Sequence, residues 1–112
     1  MIEKPLVSIV TPSFNQSQYL EDTILSVISQ SYQPIEYIII DGGSTDGSLE
    51  IVEKHADQLA YWVSEKDKGQ TDALNKGFAA ARGSIFAWLN SDDIYKPDAV
   101  GEAVDYLLQH PQ

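Results

Sequence analysis

The feature that most constrains this chain is a run of three consecutive isoleucines, Ile38-Ile39-Ile40, inside the apolar stretch Glu36 to Ile40. A strand with one wet face alternates apolar and polar residues. A run without alternation must be covered on both faces, which is the situation of a strand in a parallel sheet. Similar short runs recur at Leu6 to Val10, ended by Thr11 and Pro12, at Tyr61 to Val63 and at Ile85 to Leu89. Helical spacing separates them. Leu20, Ile24, Val27 and Ile28 share one face, as do Leu49, Val52, Ala56 and Leu59. Leu74, Phe78 and Ala81 form a third set, and Ala99, Val100, Ala103, Val104 and Leu107 a fourth. Pro97 suits the first turn of the last helix and Gly83 reads as the stop of the third. The order β-α-β-α-β-α-β-α with right-handed crossovers predicts an α/β fold, an open, doubly wound, mainly parallel sheet. At 112 residues, positions 1–112 are expected to form a single domain.

Charge narrows the partners. Seven Lys and Arg against seventeen Asp and Glu give a formal net charge of −10, which argues against nucleic acid or an anionic membrane as the main partner. A phosphate-bearing ligand would have to be held against that field. The chain has no cysteine, which excludes disulfides and thiolate metal sites and fits the cytosol. Met1 to Pro5 does not read as a signal peptide, and no apolar run approaches the ~20 residues that cross a bilayer.

Ligands of doubly wound sheets sit beyond the carboxyl ends of the strands, so the four strand exits are the places to look. The fourth, Asn90-Ser91-Asp92-Asp93, ends a strand expected to lie centrally. Two adjacent carboxylates raise each other's proton affinity unless a cation compensates, and hard oxygen donors suit Mg²⁺ or Mn²⁺ with ligand phosphates completing the shell. The plain alternative is a cap for the last helix. The second exit places Asp41 before Gly42-Gly43, where a carboxylate can accept from a ribose hydroxyl or a base N–H; Ser44, Thr45 and Asp46 also look like a helix cap. Lys66, Lys68, Lys76 and Lys96 lie in or beside the third and fourth exits and could offset the acidic field. Phe14 and Tyr95 could stack on a base, although packing is the simpler role for each. His55 and His110 are expected at the surface, and Trp62 and Trp88 in the core or on a sheet face. GxGxxG, GK[ST] and GxSxG are all absent.

The segments VSIVTPSFNQSQYLEDTILSVISQSYQPIEYIIIDGGSTDGS and SEKDKGQTDALNKGFAAARGSIFAWLNSDD together resemble the N-terminal half of family 2 glycosyltransferases, which have the GT-A fold. The likeness runs from Val7 to about Leu107, with four motifs in order, each at a strand exit. It implies a nucleotide-sugar donor site. By position, Pro12, Phe14 and Asn15 match the segment lining the nucleoside, and Asp41 the acid that contacts the base. Asp67 to Asn75 matches a segment flanking the donor, with Asp72, Asn75 and Lys76 nearest to it. Asp92 and Asp93 match the D-x-D-type motif, Asp92 toward the ribose and Asp93 on the metal, Mg²⁺ or Mn²⁺; Asn90 departs from the motif's first Asp.

The implied reaction is metal-assisted transfer of a sugar, expected from a UDP-sugar, to an acceptor hydroxyl with inversion. The acceptor would be a saccharide or a lipid-linked molecule, in polysaccharide biosynthesis for the cell envelope. The implied location is the cytoplasm or the cytoplasmic face of the membrane. No convincing general base follows Asp93, since Asp98 and Glu102 look like first-turn helix acids. The chain therefore reads as the donor-binding half, cut short after the D-x-D-type motif. The uncovered sheet edge left behind invites homo-oligomers. Two other classes fit less well. A receiver-like, non-enzymatic Mg²⁺-binding module carries its paired acids after the first strand. A nucleotidyltransferase wants Gly and Arg after the first strand, and TPSFNQSQ has neither.

Overall fold

The structure is a computed structural model and describes residues 4–110. Four strands and four helices alternate: β1 (Val7–Ser13), α1 (Ser17–Ile28), β2 (Ile35–Asp41), α2 (Ser48–Lys54), β3 (Tyr61–Ser64), α3 (Gln70–Ala80), β4 (Ile85–Trp88) and α4 (Ala99–Gln109). All three strand pairings are parallel, in the order β3-β2-β1-β4. β1 and β2 are buried along nearly their whole length, as the uninterrupted apolar runs require.

The two faces of the sheet carry separate cores. Val7, Ile9, Tyr37 and Ile39 pack against Leu20, Ile24 and Val27 of α1, Val52 of α2, and Val100 and Val104 of α4. Val10, Ile38 and Ile40 point the other way, against Ala73, Leu74 and Phe78 of α3. The chain steps from β1 to β2 to β3 in one direction with α1 and α2 on one face. It returns to β4 with α3 on the other face, so all three crossovers share one hand. All four strands therefore present their carboxyl ends at one edge of the sheet.

Four expectations are revised. β4 is an edge strand among the described residues, since the apolar run that suggested a central position loses its cover: Phe86 and Trp88 are each about half exposed. The second helix stops at Lys54 and a short 3-10 turn, Ala56–Gln58, follows, although Leu49, Val52, Ala56 and Leu59 keep helical spacing. Gly83 is not a helix stop. The helix ends at Ala80, and Gly83 is small because its backbone crosses β1, where its N–H donates to Ser8 Oγ at 2.8 Å and a Cβ would meet that oxygen at 2.5 Å. His55 is not a surface residue. Its side chain is 11% exposed and its Nε2 lies 2.8 Å from Glu21 Oε2, joining α2 to α1.

Candidate functional site

A cleft of about 690 Å³ opens at the carboxyl ends of the strands, within the usual size range of small-molecule sites. Every strand exit contributes to its lining. β1 supplies Pro12 and Ser13 and is continued by Phe14; β2 is continued by Gly42 and Gly43; the β3 exit brings Lys66 and Asp67; the β4 exit brings Asn90, Ser91 and Asp92.

The loops are held by local hydrogen bonds that follow from their composition. Asp41 is fully buried, and its carboxylate accepts from Gly43 N (3.1 Å), Ser44 N (2.8 Å), Ser44 Oγ (2.6 Å) and Ser64 Oγ (2.8 Å). Gly43 takes the left-handed φ of +86° that this turn demands. The loops after β1 and β2 are then laced together. Asn15, itself at φ 51°, donates its N–H to Ser44 Oγ, and its Oδ1 accepts from Thr45 N. Asp46 accepts from Ser17 N at the start of α1 and from Ser48 N and Oγ at the start of α2. These bonds hold the Asp46 carboxyl down at about 2, the Ser48 hydroxyl contributing most and the Ser17 N–H next.

The far wall is α3. Asp67 Oδ1 accepts from Gly69 N and Asp72 Oδ2 from Lys68 N, so the β3 exit turns tightly into the helix. Gln70 reaches across the cleft and donates to Asn90 Oδ1 at 2.9 Å, joining the α3 wall to the β4 exit.

The structure sorts the sequence-derived candidates. Pro12, Phe14 and Asp92 line the cleft, and Phe14 is 58% exposed there rather than packed. Asn15 and Asp41 lie behind the lining, holding the β1 and β2 loops in shape. Asp93 follows Asp92 at the mouth, exposed, its N–H donating to Asn90 O. Asp72, Asn75 and Lys76 stand on α3 outside the lining, and Lys76 is pinned between Glu65 Oε1 (3.2 Å) and Asp72 Oδ2 (3.7 Å). Lys66 is the one cluster lysine that lines the cleft. Sequence reasoning missed Gln16, and took in Gln70 only as part of the Asp67 to Asn75 stretch without singling it out. Each sits where a polar strand exit becomes a helix, and that position was the available signal.

The mouth suits a divalent ion that shares its ligands. Asp92, Asp93, Ser91 and Asn90 offer hard oxygens. Among the described residues no three His, Cys, Asp or Glu side chains group closely enough to hold an ion alone, so ligand oxygens and water would complete the shell. Among the described residues no helix is long and apolar enough to cross a membrane.

With this geometry in place, the comparisons can be read. The family model for Glycosyl transferase family 2 matches residues 8–112. TuaG of Bacillus subtilis (strain 168), named for teichuronic acid biosynthesis as a glycosyltransferase, is 38% identical over 109 residues, covering 95% of this chain and 43% of TuaG. The mannosyltransferase PcManGT from Pyrobaculum calidifontis, solved with GDP-Man and Mn²⁺, superposes with a TM-score of 0.85 at 27% identity, covering 94% of this chain and 33% of that one. TarS of S. aureus gives a TM-score of 0.83 at 26% identity, covering 93% of this chain and 20% of TarS. The chain thus spans about two-fifths of TuaG's length and has the Rossmann-like GT-A architecture of these glycosyltransferases. A four-stranded parallel sheet with its polar exits gathered round one cleft, and a family match over nearly its full length, make this chain a member of glycosyltransferase family 2.

Proposed function

We propose that the cleft binds the nucleoside diphosphate of a sugar donor together with Mg²⁺ or Mn²⁺, and that the whole protein transfers the sugar to an acceptor hydroxyl with inversion. The observation that carries this reading is the convergence of all four strand exits on one cleft that holds Phe14, Lys66 and Asp92 together. Phe14, exposed at the rim, offers a face on which a base can stack. Asp92 accepts from the ribose, and Lys66 meets phosphate charge. Asp93, next to Asp92, would hold the ion, which when bound would supply positive charge to the departing diphosphate. Asp41 and Asn15 shape the base-side loop, and Asp72, Asn75 and Lys76 brace the α3 wall.

A UDP-sugar is the donor first in line, with a GDP-sugar the alternative that PcManGT's complex supports. The acceptor is a cell-envelope saccharide or its lipid-linked precursor, a reading that TuaG's name supports. The acceptor contacts and the base that takes its proton belong to the whole protein.

Calorimetry with UDP and GDP, in Mn²⁺ and in EDTA, tests the site. One diphosphate is expected to bind at least tenfold more tightly with the ion, and Asp93→Ala to remove most of that gain. Equal affinities with and without Mn²⁺ for both nucleotides would reject the metal-linked donor site.

A further inference from the structure

Resting on the reading just given, we propose that a polar row formed by Thr23 and Ser26 of α1 and by Gln30 in the turn that follows it positions the Asp92-Asp93 turn for its ion and diphosphate. None of the three lines the cleft. Thr23 and Ser26, three residues apart, share one face of α1, and Gln30 follows in the turn beyond Ile28, its N–H donating to Val27 O. Together they meet the segment after β4 and the first turn of α4 at five positions, 91, 93, 95, 96 and 100.

Thr23 is fully buried, and its hydroxyl is shared between Ser91 O at 3.0 Å and Asp93 O at 2.5 Å. These two carbonyls bracket Asp92. Ser26 Oγ accepts the N–H of Tyr95 at 3.1 Å. Gln30, 5% exposed, donates from Nε2 to Lys96 O at 2.7 Å and accepts at Oε1 from Val100 N at 3.0 Å. Ser31 closes the row, its N–H donating to Pro97 O at 2.9 Å and its hydroxyl to Asp98 Oδ1 at 2.6 Å.

The physical reason for such a clamp lies in the segment itself. Residues 89–98 contain no helix or strand, so their backbone groups need partners from elsewhere. Apart from the α1 side, they are held by Leu89 N to Val10 O, the turn bond Asp93 N to Asn90 O, the Asn90 amide bond to Gln70, and the N–H groups of Ala99 and Glu102, which donate to Lys96 O and Asp98 O. Two exposed, adjacent carboxylates repel each other and would spread the turn if it were free. Thr23 and Gln30 hold carbonyls of the segment and Ser26 holds the Tyr95 N–H, so the backbone on either side of Asp92, which lines the cleft, is fixed before any ligand arrives. Preorganisation of this kind strengthens an ion site without touching the ion.

The test compares Thr23→Val, which keeps the shape and removes the hydroxyl, with Thr23→Ser, which keeps the hydroxyl, and adds Ser26→Ala. For each, affinity for UDP and for GDP is measured by calorimetry in Mn²⁺ and in EDTA, alongside the thermal midpoint. Thr23→Val is expected to lower the Mn²⁺-dependent gain roughly tenfold while the affinity in EDTA stays within about twofold, and Ser26→Ala to lower the gain less. Thr23→Ser is expected to restore the gain. A merely structural Thr23 would instead lower both affinities together, in step with the midpoint, and that result overturns the proposal. So does an undiminished Mn²⁺ gain in Thr23→Val. If the unaltered protein has no Mn²⁺ gain, the donor-site reading fails and takes this proposal with it; a gain in the unaltered protein that Thr23→Val retains sinks the proposal alone.

Discussion

Replacing Gly77 by alanine tests the packing that sets one wall of the cleft. Gly77 is a buried helical residue of α3, pressed on Val10 of β1, which is itself fully buried. A Cβ at position 77 would lie 2.8 Å from Val10 Cγ2 and closer still to Cγ1. Ordinary carbon contacts are about 3.5–4.0 Å, so about 1 Å must be found. Val10 cannot turn out of the way, because both of its methyls are struck and a β-branched side chain has few χ1 choices. The helix must lift instead, and overpacking of this kind costs about 1–3 kcal/mol. Alanine returns about 1 kcal/mol in helix propensity. Contacts this short put the cost in the upper part of that range, about 2–3 kcal/mol, so the net loss is about 1–2 kcal/mol, which for a domain of this size lowers the thermal midpoint by about 5–15 °C. Circular dichroism melts of Gly77→Ala, Val10→Ala and the double variant provide the assay. The double variant is expected to lose less than the sum of the single losses, since Val10→Ala makes the room the new methyl needs. Because α3 carries Gln70 and Ala73 of the cleft lining, nucleotide affinity is expected to fall with the lifted helix and recover in the double variant. A Gly77→Ala protein as stable as the original, or strictly additive losses, would refute the argument.

Asp41→Ala is expected to cost about 2–3 kcal/mol, since four partly buried donors lose their acceptor, whereas Asp41→Asn costs about 1 kcal/mol because a flipped amide keeps its oxygen on the three donors at Oδ2. Urea unfolding reads the order, and an Asp41→Asn protein as damaged as Asp41→Ala would contradict it. Acid stability follows from two carboxylates. Asp46 is held at about 2 against its ordinary 3.8, by the Ser48 hydroxyl first and then the Ser17 N–H. Burial pushes Glu36 up, but the Arg82 N–H, the Ser8 hydroxyl and the Arg82 guanidinium outweigh it and leave it below its ordinary 4.5. Both folded values are lowered, so their stabilisation is complete above about 4.5 and drains as pH falls toward 2. Asp46→Asn and Glu36→Gln are expected to lower the midpoint at neutral pH and to flatten its fall in that window, as melts across pH would record.

Much of the architecture was legible because burial on both faces leaves a strong mark. Ile38 to Ile40 cannot serve a half-wet strand, and the four polar exits followed from where such runs end. Strand order was less legible: Ile85 to Leu89 looks as apolar as a central strand, yet its position is decided by the long return of α3 across the other face. The break at His55 was hidden by a periodicity that survives it, since a 3-10 turn carries Leu59 back to the same core. Gly83 and Gly77 are both explained by close approach to β1, a relation between distant residues that no local pattern contains. In the site, Phe14 and Asp92 were readable from position, while Gln70 was not, because its partner Asn90 is twenty residues away. Thr23 and Ser26 are polar interruptions in an amphipathic helix and Gln30 stands just past its end, so none of them stands out by pattern. Their meaning appears only when the segment after β4 is laid against them.

The common hand of the three crossovers has an electrostatic consequence. Each helix that follows a strand must start where that strand ends, so the opening turns of α1 and α3 both face the cleft, with Gln16 and Gly69 at their thresholds. Aligned peptide dipoles put roughly half a positive charge at each such start. In a polypeptide with a surplus of ten negative charges, that charge serves first to settle the protein's own acids, Asp46 on the Ser17 N–H at α1 and Asp67 on the Gly69 N–H at α3, beside the cleft.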